Sequence, residues 1–74
     1  MTAAKKKANE LVDRYLEYVE AYSSEGQLEN AKVCALILVS EIMEFLVQAS
    51  EYLAFPEQIK FWQEVKREIK TIKS

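Results

Sequence analysis

The sequence predicts an all-α protein of three helices, either a three-helix bundle or a helical hairpin with a third helix laid across it, with a long apolar central helix and more than one copy in the assembly. Three observations lead there. Apolar residues recur at helical spacing along most of the 74 residues. The single Gly and the single Pro both stand where one such pattern stops and the next begins. No stretch has the alternation of a half-buried strand.

The first helix is expected over about residues 4–22. Ala8, Leu11, Val12, Tyr15, Leu16, Tyr18, Val19 and Tyr22 gather on under half its circumference, while Glu10, Asp13, Arg14, Glu17 and Glu20 take the other side. Ser23, Ser24, Glu25 and Gly26 end it, with Gly26 free to enter the left-handed conformation that closes many helices. The second helix is expected over about 27–53. Val33 to Val39 is apolar without interruption and so covers every direction of the helix. Asn30, Ser40, Glu41, Glu44, Gln48 and Glu51 form a narrow polar strip, with Val33 and Ile37 inside it. A helix apolar nearly all round is buried nearly all round. At 1.5 Å per residue it spans roughly 40 Å, too long for two shorter neighbours to wrap. Phe55-Pro56 ends it, because proline drives the preceding residue out of helical geometry. The third helix, about 57–72, opens on Glu57 at its positive end and buries Ile59, Trp62, Val65, Ile69 and Ile72.

Length and composition exclude several classes. A chain of this size forms one domain, 1–74, with a core worth only about 3–5 kcal/mol. With no His, the usual general base, zinc ligand and phosphoryl carrier are missing. One Gly cannot build a phosphate-cradling loop. A lone Cys34 cannot staple the fold and reads as a small apolar filler in a reduced compartment. Residues 1–7 carry a net +3, residues 58–74 another +3, and residues 8–57 a net −8. An acidic body with basic ends does not suit nucleic-acid coating. The longest apolar run falls far short of the roughly 18 residues of a membrane span, and no leader pattern opens the chain. The expectation is a cytoplasmic protein without cofactor or metal.

Two surfaces stand out as candidate sites. Apolar excess on the central helix nominates Val33, Ile37 and Phe45 as an interface between copies, since a small monomer rarely exposes a broad apolar patch. Tyr15, Tyr18 and Tyr22 follow at helical spacing, and with Lys66, Arg67 and Lys70 they could hold a nucleotide, rings on the base and cations on the phosphate. Tyr15 and Trp62 read first as core, and Tyr18 and Tyr22 as edge residues. Glu41 and Glu44 have the spacing of paired magnesium carboxylates, similar to that of all-α nucleoside-triphosphate pyrophosphohydrolases. The acids available to complete such a shell, Glu64 and Glu68, are interleaved with Lys66 and Arg67, so the row reads first as a solvated strip or an ion-pairing seam. Lys5, Lys6 and Lys7 read as a solvating tail.

The stretches 8–15 (ANELVDRY), 31–42 (AKVCALILVSEI) and 61–69 (FWQEVKREI) resemble a family of short proteins of unknown function from phages, prophages and mobile elements of Bacteroidetes. The resemblance covers most of the chain, and its most specific part is Ala31-Lys32-Val33-Cys34-Ala35-Leu36-Ile37 with Glu41-Ile42 following. Ser40 stands where that family's pattern has an Asp. The resemblance supplies no catalytic residue. It implies a phage accessory protein that acts on host physiology or host defence. The expected function is therefore non-enzymatic binding by a homo-oligomeric helical scaffold that engages a host or phage protein. The alternative is sequestration of a cyclic-nucleotide immune signal between subunits, as small helical phage sponges do. Magnesium-dependent nucleotide hydrolysis comes third.

Overall fold

The computed structural model describes residues 2–19, 23–49 and 55–72. Among them three helices form, α1 (Ala3–Leu16), α2 (Ser24–Ala49) and α3 (Pro56–Thr71), with no strand. Each packs against the other two, so the bundle is the observed arrangement and not a hairpin with an outlying helix.

Local chemistry sets the helix starts. Thr2 caps α1, its hydroxyl accepting the Lys5 N–H at 3.1 Å. Ser23 does the same for α2, its Oγ accepting the Gly26 N–H at 3.0 Å. Gly26 therefore lies in the first turn of α2 and does not close α1; no described residue has positive φ. A hydroxyl cap at Ser23 begins the next helix before a left-handed glycine is needed. Pro56 opens α3, where its missing N–H costs nothing.

α1 is shorter than its periodicity suggests. It ends at Leu16 with Glu17 as its C-cap, and Tyr18 and Val19 lie beyond it. The rest of the expected extension, including Tyr22, lies outside the described residues, as does the stretch 50–54 at the far end of α2. A side chain on α2 meets the end of α1. Gln27 Nε2 donates to the Leu16 carbonyl at 2.8 Å and to that of Val19 at 3.4 Å. In a continuing helix the Leu16 carbonyl would accept the N–H four residues on. Here a side chain from the next helix donates to it.

Lys32 treats the end of α3 in the same way. Its ammonium donates to the Ile72 carbonyl at 2.6 Å and sits 3.5 Å from Glu29 Oε1. A cation at a helix C-terminus satisfies orphan carbonyls and suits the negative end of the macrodipole. The C-terminal ends of α1 and α3 thus both meet the N-terminal part of α2. The topology is up, down, up, with α1 parallel to α3 and α2 antiparallel to both.

The core is a seam of small side chains. Ala4, Ala8 and Val12 on α1, Ala31, Ala35 and Val39 on α2, and Val65 and Ile69 on α3 are all buried. α1 and α2 carry the same Ala-x-x-x-Ala-x-x-x-Val row, one small residue per turn, which lets their axes approach closely. Leu11, Tyr15, Leu16, Leu28, Leu36, Met43, Phe61, Trp62 and Ile72 pack around this seam, partly buried. Phe61 and Trp62 meet edge to face at 5.3 Å between ring centres. Of the expected α3 stripe, Val65 and Ile69 are fully buried, whereas Ile59, Trp62 and Ile72 remain half-exposed.

Length now decides what stays open. α2 has 26 residues and α1 has 14, so they span about 39 and 21 Å at 1.5 Å per residue. With Gln27 fixed on the end of α1, the start of α1 comes level with about Ser40. Beyond that point α2 has α3 for company and no longer α1.

Two stability predictions follow from this packing. Ala35→Leu overfills the seam and lowers unfolding free energy by about 1–3 kcal/mol in urea titrations. Lys32→Met keeps the apolar stem but strands the Ile72 carbonyl, and costs about 1 kcal/mol in the same assay.

Candidate functional site: the solvent face of α2

The side of α2 turned away from the seam is not polar throughout. Val33 is 52 % exposed, Ile37 58 %, Phe45 68 % and Val47 55 %. Val33, Ile37, Ser40, Glu44 and Val47 follow at spacings of four, three, four and three, and all five are exposed. That is the spacing of a seam that another helix lies along. Ser40 sits midway along it, the small residue of the row. Phe45, two residues before Val47 and so about 160° from it around the axis, is exposed on a different side of the helix.

The electrostatics of this face have one sign. Glu41 and Glu44 are exposed upon it. Lys32 is the sole cation in the α2 sequence. Its side chain is only 12 % exposed, with the ammonium turned to the Ile72 carbonyl and to Glu29. The α2 face therefore combines apolar side chains with carboxylates, and its lysine is committed elsewhere. Cys34, on the flank, is half-buried.

The aromatic and cationic set is more dispersed. Tyr15 is partly buried and packs on the core, Tyr18 is 76 % exposed just past α1, and Tyr22 is outside the described residues. On α3, Lys66 is half-buried while Arg67 and Lys70 are exposed. A hollow of about 660 Å³ beside Tyr18 is lined by Lys7, Glu10, Leu11, Asp13, Arg14 and Glu17. None of the three α3 cations lines it. Its carboxylates outnumber its cations, and Lys7 is paired to Glu10 Oε2 at 3.1 Å. The hydrogen bond and charge of Lys7 hold the Glu10 carboxyl below the ordinary carboxylate range. This lining does not favour a phosphate.

Glu41 and Glu44 lie on α2, Glu64 and Glu68 on α3. Among the described residues no three acidic or thiol groups converge as a metal site would require. No described helix is long and apolar enough to cross a membrane.

Sequence reasoning placed Val33, Ile37 and Phe45 on this face but missed Val47, although it lies one heptad beyond Ser40. It also missed the roles of Gln27 and Lys32. No sequence signal marks them, because each reaches a carbonyl that only the packed register brings near. Comparison with known protein families, with curated proteins and with solved structures finds no match to this chain.

The Glu10 pair gives a pH prediction. A carboxyl whose folded pKa is depressed contributes stability above its unfolded pKa and loses it as pH falls through the folded value. The melting-temperature gap between wild type and Glu10→Gln is thus present at neutral pH, small for so exposed a pair, and closes as the solution is acidified.

Proposed function

We propose that this is a non-enzymatic accessory protein of the phage type that acts in the host cytoplasm by binding other proteins, with the open face of α2 as its working surface. The observation that carries the reading is the set Val33, Ile37 and Val47 on one face of α2, each more than half exposed in the single chain. Small monomers seldom leave such a line in water, and a helix face of this kind is covered by another helix. In the resting state a second copy covers it, α2 against α2 about a two-fold, which makes the protein a homo-oligomer. In the engaged state a helix of a host or phage protein takes its place. The resemblance to proteins of mobile elements fits a counter-defence role. Sequestration of a cyclic nucleotide draws less support, since Lys66, Arg67 and Lys70 do not line the hollow at Tyr18.

Solution mass tests the reading. Light scattering at micromolar concentration is expected to give a mass above the 8.6 kDa of one chain. Replacing Val33 and Ile37 together by Ser returns it to a monomer of unchanged helicity, because both side chains already face solvent. A wild-type chain that is strictly monomeric removes the self-association.

A further inference from the structure

The chemistry of the α2 face says more about its engaged partner than that it is a helix. We infer that the face is built for a cationic amphipathic helix, an apolar stripe flanked by Lys or Arg, about four turns long. This rests on the proposed use of the α2 face for binding and specifies what binds there.

Three observations point this way. The first is extent. Val33 to Val47 covers fourteen residue steps, about 21 Å along the axis, which a partner helix of about four turns spans completely. The second is sign. The exposed charges at the centre of the row are Glu41 and Glu44, and the one lysine of α2 is held against the end of α3 by a 2.6 Å hydrogen bond. A partner therefore meets carboxylates without any competing ammonium from α2. The third is the mismatch with a second copy. The row centres on Ser40, so pairing α2 with α2 about that point sets Glu41 of one copy within two residue steps of Glu41 of the other, and offers no cation of α2 to either Glu44. Like charges set opposite one another weaken an association, whereas opposite charges steer and hold it. A second copy matches the apolar residues but opposes the charges; a cationic helix matches both.

The two occupants consequently respond in opposite directions to the same substitution. Glu41→Gln with Glu44→Gln relieves the repulsion between copies and removes the attraction for a cationic partner. Exposed ion pairs are worth enough for a shift of about threefold to tenfold in each equilibrium.

The test uses the full chain and two synthetic, fluorescently labelled helices of about four turns. Both carry leucine at heptad spacing, and the remaining positions are lysine in one and glutamate in the other. Fluorescence anisotropy reads binding, and light scattering reads mass on the same samples. The expected result is saturable binding of the lysine peptide only, weakened by added salt, with oligomers converted to a complex of one chain and one peptide. The E41Q/E44Q variant binds that peptide about threefold to tenfold more weakly while its self-association tightens. Ser at both Val33 and Ile37 abolishes both events at unchanged helicity.

Equal binding of the two peptides, or an E41Q/E44Q variant that binds the lysine peptide undiminished, overturns the inference. An oligomer that ignores both peptides overturns it too, yet leaves the proposed apolar docking face standing. A monomer that ignores both overturns the two together. A monomer that binds the lysine peptide alone supports the inference and removes only the resting oligomer.

Discussion

The buried row of one small residue per turn on both α1 and α2 is the constraint from which the rest of the structure follows. Ala4, Ala8, Ala31 and Ala35 bury little area individually, and their value is that they let the backbones come near. The larger side chains are then displaced to the perimeter of the seam. There they are shared between core and solvent, which is why Tyr15, Phe61 and Trp62 are only partly covered. A slim bundle results, with Cα extents of 45 × 24 × 15 Å.

Slimness limits how much of α2 can be sheltered. Two helices pack on one side of it, and α1 is little more than half its length. The residues left over are Val33 and Ile37, opposite the seam, and Phe45 and Val47, past the start of α1. The surface proposed for binding is thus what remains when a long helix is paired with neighbours that are too few and too short. Stability and function are linked at this point.

The end of the bundle where both C-termini gather shows a second economy. Gln27 and Lys32, five residues apart on α2, each satisfy carbonyls of a different helix. This fixes the register of α1 and α3 against α2. It also withdraws the only positive charge α2 has, so a capping interaction determines the charge of the opposite, open face. Electrostatic character on this helix is decided by packing as well as by composition.

The three helices, their order and the absence of strand among the described residues were legible in the residue pattern, because periodicity and breakers are local properties of the chain. The place of Val33 and Ile37 inside the polar strip of α2 could be read the same way. The stop of α1 at Leu16 and the capping of Ile72 by Lys32 could not. Each accompanies a side chain meeting a carbonyl 8 to 40 residues away in sequence, and such meetings exist only once the helices have packed. The inclusion of Gly26 in α2 goes instead with the local Ser23 cap three residues before it. Local propensity drew the rods; their relative register decided which carbonyls Gln27 and Lys32 reach, which cation is spent, and which side of α2 stays exposed.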